Sequence, residues 1–255
     1  MFAFLDGYLK NQTEPPPKRV IRYYTLGERS WHTTTTWPPP GLTTQRWFFG
    51  ANGSLARTQP SDADGADRYA VDFAATSGPL NRWHTQAGSD VVYPNRAAAD
   101  KKLLTYTSAP LARALEITGH PIVSLEVTST ASDGAFIVYL EDVAPNGRVT
   151  YITEGELRGL DRRTSTAQPP FPAFGPYHSF KRADAQPLVP GEQAELRFAL
   201  WPTSVLIRKG HRIRVAIAGA DNGTFARIPA TGHPVISIAR NRDYASAIDL
   251  PLRAR

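Results

Sequence analysis

The strongest constraint on the fold is the period-two alternation of apolar residues between Leu103 and Arg158. Ile122–Thr128 and Ala135–Asp142 alternate apolar with polar side chains, which is typical of strands with one buried face. Asn146-Gly147 favours a tight turn, because both residues tolerate positive φ angles, and Val149–Leu157 follows as the return strand. The stretch therefore predicts antiparallel strands. The apolar face comprises Val123, Leu125, Val127, Phe136, Val138 and Leu140.

Other short strands flank this stretch on both sides. They are predicted at Arg19–Tyr24, Gln45–Phe49, Tyr69–Phe73, Ala194–Leu200, Val205–Ile207, Ile213–Ile217, Val235–Ala239 and Ala247–Leu250. Long irregular segments, Thr76–Lys102 and Asp161–Pro190, join strand groups, and Trp31–Pro40 is expected to be a loop. Such crossings favour a jelly roll over a meander. We therefore predict an all-β, two-sheet jelly-roll sandwich with a short N-terminal helix over Phe2–Leu9.

Charge and composition exclude several classes of function. The net charge is +6, but Lys and Arg occur at most in pairs, which argues against nucleic-acid binding. Arg212 and Arg214 alternate with apolar residues and are expected on a solvated strand face. No run approaches the roughly 18 apolar residues of a membrane span, and the start lacks the pattern of a secretory signal. With no cysteine present, these features predict a cytoplasmic protein without membrane contact.

Four phrases in this order resemble one known family. They are GERSWHTTTTWPPPG, LLTYTSAPLARALEITG, VAPNGRVTYITEGELR and LVPGEQAELRFALWPTSVLIRKGHRIRVAIAG. Together they are similar to the C-terminal domain of the X-prolyl dipeptidyl peptidase and cocaine esterase family, which are α/β-hydrolase-fold serine hydrolases. The resemblance covers about residues 19–252 and implies a galactose-binding-domain-like jelly roll over 19–255. It also implies that residues 1–18 are the last helix and proline linker of a preceding hydrolase domain.

The resemblance carries no catalytic residue into this chain. The family places its nucleophilic serine in a Gly-x-Ser-x-Gly elbow in the hydrolase domain, and this sequence contains no such motif. The expected function is therefore accessory, with an α/β-hydrolase catalytic domain as partner, in the same gene or on a separate chain, and homo-oligomerisation as a further possibility. The chain is then expected to be a split gene product, an incomplete reading frame or an excised domain.

The segment ahead of Leu103 holds the candidate functional residues. In the family, the corresponding jelly-roll loop reaches the hydrolase active site, which implies substrate-facing roles for Leu80, Arg82, Trp83 and His84. The alternative is that Trp83 packs beneath its own loop. A different function is also compatible with the fold, namely a free-standing carbohydrate- or ligand-binding module that uses Trp83 for stacking.

Metal, cofactor and triad chemistry find little support in the residue spacing. The six histidines show no metal-site spacing, and Asp62, Asp64 and Asp67 lack the glycine and closing glutamate of a helical calcium loop. We expect no metal and no cofactor. Nothing nearby in the sequence activates a serine, although Ser89, Ser179 or Ser204 could join a triad across space. Trp47 and Trp201 are expected in the core, while Trp31 and Trp37 are candidates for contact with a neighbouring domain.

Overall fold

The computed structural model describes residues 9–10, 20–85, 88 and 90–254. The predicted helix over Phe2–Leu9 falls almost wholly outside the described residues, as does Ser89. The described chain is built from strands joined by turns and short 3-10 helices. The strands are β1 (Ile21–Thr25), β2 (Ser30–Thr34), β3 (Leu42–Gly50), β4 (Ser54–Ala56), β5 (Ala66–Ala70), β6 (Leu104–Ser108), β7 (Leu115–Gly119), β8 (Ile122–Ser129), β9 (Ala135–Val143), β10 (Val149–Arg158), β11 (Ala194–Ala199), β12 (Thr203–Ile207), β13 (Arg212–Ala218), β14 (Val235–Ala239) and β15 (Ala247–Arg253).

The strands form a β-sandwich that confirms the predicted all-β class. One layer has the order β10-β9-β13-β6, and the other contains β3, β15, β8, β14 and β5, with β11 beside β8 and β12 beside β7. Pairing is antiparallel except between β4 and β6, where a parallel contact joins the two layers at one edge. β1 and β2 form a separate hairpin.

The core lies between the layers and is built from the alternation seen in the sequence. All six predicted core residues of β8 and β9 are fully buried. They meet the inward side chains of the neighbouring strands in one continuous cluster, and Phe49 stacks on Tyr106 with ring centroids 4.3 Å apart. Burial of this apolar area supplies the main driving force for folding.

One loop prediction and one strand prediction were wrong in position. The Trp31–Pro40 segment begins as strand, because residues 30–34 pair with β1, and only its proline-rich part is loop. The strand predicted over Tyr69–Phe73 is instead Ala66–Ala70, since its pairing with β14 ends at Ala70. Sequence alternation does not reveal where the partner strand stops.

A register shift in β10 controls which side chains face outward. Tyr151 pairs with Glu141, whereas the next paired residue, Thr153, opposes Leu140, so one residue is inserted between them. This bulge turns Leu157 into the core and places Glu154 opposite Tyr139, on the outer face. The outer face is then covered by residues of the segments 71–85, 90–103 and 221–233, and the candidate residues lie on the first of these.

Candidate functional site

Asn81 organises the loop that carries the four candidate residues. Its side chain is buried, and its Oδ1 accepts hydrogen bonds from the backbone N–H of Trp83 at 3.0 Å and of His84 at 3.1 Å. Its Nδ2 donates to Thr224 Oγ1 at 2.8 Å, which ties the loop to the segment 221–233. An asparagine side chain often caps the turn in which it lies, but Asn81 was not among the residues predicted from the sequence.

Arg82 and Trp83 turn inward onto β10, whereas Leu80 and His84 remain exposed. The Arg82 guanidinium forms an ion pair with Glu154 and lies 5.1 Å from the Trp83 ring and 4.9 Å from the Trp201 ring. Trp83 Nε1 donates to Glu154 Oε1 at 3.2 Å. The structure therefore brings Arg82 and Trp83 together over one carboxylate and separates them from the exposed pair.

Trp201, which was predicted to be core, is instead 44% exposed. It follows the end of β11 at Ala199 and lies against the loop, with its ring centroid 5.9 Å from that of Trp83. Its Nε1 donates to Glu156 Oε1 at 3.4 Å. Trp47 is buried, as predicted.

Glu154 and Glu156 are two carboxyl groups on the outer face of β10 with one nearby guanidinium, that of Arg82. Burial raises the pKa of Glu154 to about 7, and the Arg82 charge opposes this shift. Burial also raises the pKa of Glu156. The Glu154 carboxyl can therefore take up a proton near neutral pH.

A buried ionic network anchors the base of the same segment. Arg96, whose side chain is 2% exposed, donates through Nε to Glu141 Oε1 at 2.9 Å and lies 4.5 Å from the Tyr139 ring centroid. Asp100 pairs with Arg214 at 2.9 Å and lies 3.6 Å from Arg96. Arg212 is exposed, as predicted, but the solvated position predicted for Arg214 is wrong, because Asp100 covers its guanidinium and leaves the side chain 20% exposed.

The network contains carboxyl oxygens that lack donors. Asp100 Oδ1 and Glu141 Oε2 are buried and accept no hydrogen bond from the described part of the chain. Burial, and next the Asp100 charge, raise the pKa of Glu141 to about 8. A proton on Glu141 would supply one missing donor, so the network is sensitive to pH.

The other predicted candidates take structural positions. Asp67 accepts hydrogen bonds from Arg240 Nε at 2.8 Å and from Tyr106 at 3.0 Å. Ser204 hydrogen-bonds to Thr25 and Thr118, and Ser179 to Asp184; neither hydroxyl is hydrogen-bonded to a histidine in the described part of the chain. Within the described ranges, no group of three or more His, Asp or Glu side chains could hold a metal ion.

Comparison with known proteins places the chain in a family. The family model of the X-Pro dipeptidyl-peptidase C-terminal non-catalytic domain matches residues 11–246. The chain belongs to this family. The resemblance carried by the four sequence phrases is thereby confirmed.

Relatives of the chain are hydrolases of greater length. A Mycobacterium bovis protein provisionally named a serine esterase is 49% identical over 259 residues, which cover 99% of this chain and 40% of that protein. The cocaine esterase of a Rhodococcus strain is 26% identical, over 90% of this chain and 39% of that protein. The chain thus spans about 40% of the length of these relatives.

Solved structures share the fold. An aminopeptidase from a marine-sediment Thaumarchaeota archaeon matches with a TM-score of 0.79 at 23% identity, over 100% of this chain and 43% of that chain. An α-amino acid ester hydrolase matches with a TM-score of 0.76 at 20% identity, over 98% of this chain and 43% of that chain. Among the residues described, no helix has the length and apolar character needed to cross a membrane.

Proposed function

We propose that this chain is the accessory jelly-roll domain of an α/β-hydrolase-type serine esterase or peptidase, and that it shapes the substrate pocket and stabilises the catalytic domain. In this proposal residues 19–255 form the accessory domain and residues 1–18 lead into it from the catalytic domain. Membership of a non-catalytic domain family supports the proposal, as does the lack of any serine–histidine hydrogen bond among the residues described.

The observation that carries the pocket-shaping role is the way segment 71–103 is held. Its base is fixed by the buried Arg96–Glu141 pair and its turn by Asn81, yet its outer surface keeps apolar side chains exposed. Leu80 is 44% exposed and Val92 is 52% exposed. Exposed apolar side chains on a segment that is tied down at Asn81 and Arg96 suit contact with another domain or with a substrate.

Within that segment we assign the four candidate residues two kinds of role. Leu80 and His84 would face the substrate or the catalytic domain directly, because both are exposed. Arg82 and Trp83 would support them from behind through Glu154 and Trp201. Loss of Trp83 would then alter substrate selectivity by releasing the loop, and would act on KM more than on kcat.

The test separates the chain from the catalytic part of its mycobacterial relative. The purified chain alone should hydrolyse p-nitrophenyl esters no faster than buffer, and a serine-directed fluorophosphonate probe should label no unique residue. Mixed with the separately expressed remainder of the relative, it should bind and raise that part's esterase rate. Specific labelling of a serine in this chain would refute the proposal.

A second candidate function is a free-standing ligand-binding module, and one observation favours it. A cavity of about 370 Å³ is lined by Phe171, Phe174, Phe180 and Trp201, with the Glu156 carboxyl also in its wall. Aromatic faces of this kind stack on sugar rings. Glycan binding that is lost in Trp201→Ala and in Trp83→Ala, without loss of folding, would favour this module over the accessory domain.

A further inference from the structure

A second cavity opens between β3, β4, β15 and the segment 109–113. It has a volume of about 410 Å³. Its wall is mainly apolar, formed by Trp47, Leu55, Leu111 and Leu252 among others. The volume lies within the range of about 300–1,000 Å³ that is usual for small-molecule sites. An alkyl chain placed here would extend the apolar contacts of the core.

The two charged side chains that line this cavity are both arginines. Arg57 and Arg113 both line it and are exposed. Neither guanidinium has an ion pair or hydrogen bond with any residue in the described ranges 20–85, 88 and 90–254. Since guanidinium groups recognise carboxylates with high geometric specificity, two unpaired ones at an apolar cavity favour an anionic head group.

A third observation comes from Trp47 itself. Its side chain is 8% exposed, and its Nε1 is buried without a hydrogen-bond acceptor among the described residues. That nitrogen has almost no accessible surface, so the indole meets the cavity as an apolar wall and not as a donor. The apolar body of a ligand would lie against the indole and the rest of the wall.

From these three observations we propose that this cavity binds amphipathic monocarboxylates, such as medium-chain alkanoates. The alkyl chain lies against Trp47, Leu55 and Leu252. The carboxylate is held by Arg57 and Arg113 at the cavity's exposed rim. The inference is separate from the proposed accessory role and stands whether or not the chain assists a hydrolase.

Isothermal titration calorimetry of the purified chain tests the proposal with sodium octanoate as the probe. Octanoate should bind at least tenfold more tightly than 1-octanol, and octylammonium should bind most weakly. Hexanoate should bind more weakly than octanoate by up to about 15-fold, since each buried methylene contributes about fourfold in affinity. Equal affinity for octanoate and octanol would overturn the anion-binding role.

Substitutions locate the site. The double variant Arg57→Gln/Arg113→Gln should weaken octanoate binding by tenfold or more, and both positions are exposed, so folding should be retained. Arg148→Gln removes one exposed charge on the β9–β10 turn and should leave affinity unchanged. In ¹⁵N–¹H spectra, octanoate should shift one indole resonance, identified as Trp47 by its absence in Trp47→Phe. Unchanged binding in the double variant, or no shift of that resonance, would refute the proposal.

Discussion

Removal of the Arg96 charge should destabilise the chain more than removal of any exposed arginine. In Arg96→Met the apolar stem remains, but Glu141 and Asp100 lose a buried cation. The side chains of Arg96 and Glu141 are 2% and 0% exposed, so water cannot replace the lost contact. Breaking a buried ion pair on one side costs about 3–5 kcal/mol, which is a large part of the roughly 5–15 kcal/mol that stabilises a typical domain.

The matched control is Arg46→Met. Arg46 forms an ion pair with Asp249 at 2.7 Å, but its side chain is 48% exposed, so the same substitution should cost only about 0–1 kcal/mol. Urea denaturation followed by far-ultraviolet circular dichroism measures both free energies of unfolding.

The cost of Arg96→Met should also grow with pH. Burial raises the pKa of Glu141, and loss of the Arg96 charge raises it further, so keeping that carboxyl neutral in the folded state costs more free energy as pH rises. A loss in Arg96→Met no larger than in Arg46→Met would refute the reasoning that this network anchors segment 71–103.

Two further outcomes are expected. Because Glu141 has its pKa raised from 4.5 to about 8, the folded state keeps a proton that the unfolded chain releases. The free energy of unfolding should therefore fall as pH rises from 4.5 to about 8, by up to about 1.4 kcal/mol per pH unit. Glu141→Gln should flatten this dependence on pH. An unchanged pH dependence in that variant would contradict the prediction. Gly155→Ala should lower the urea midpoint of unfolding, because a Cβ at this position would lie 2.7 Å from the Ala199 carbonyl oxygen. Gly134→Ala should leave the midpoint unchanged, because the atom nearest to its Cβ would be 3.8 Å away. Equal midpoints for the two variants would contradict the packing argument.

The sandwich and its core were predictable because alternation is a local signal. Val123 and Phe136 lie on apolar faces that any sheet of this kind must bury, and both are fully buried. Strand bounds were less predictable, since the end of β5 depends on its pairing with β14. The family was recognisable because four phrases occur in a fixed order along most of the chain.

The position of the candidate site in the sequence was predictable, but the residues that contact it were not. The loop with Arg82 and Trp83 could be singled out as long and aromatic, yet its partners Glu154 and Trp201 come from distant parts of the sequence. Glu154 faces outward only because of the β10 bulge, which leaves no clear sequence signal. Arg214 was misplaced for a related reason, since strand alternation does not show which outer faces are later covered by a loop.

In the proposed role, this chain shapes the pocket of a hydrolase without supplying the nucleophile. The most direct measurement replaces the aligned region of the mycobacterial relative with this chain and records ester hydrolysis over a series of acyl lengths. We expect an active chimera in which Leu80→Ser and Trp83→Ala change the ratio of kcat/KM between short and long acyl esters, with Arg148→Gln as the unaffected control. Identical selectivity in all four proteins would contradict it.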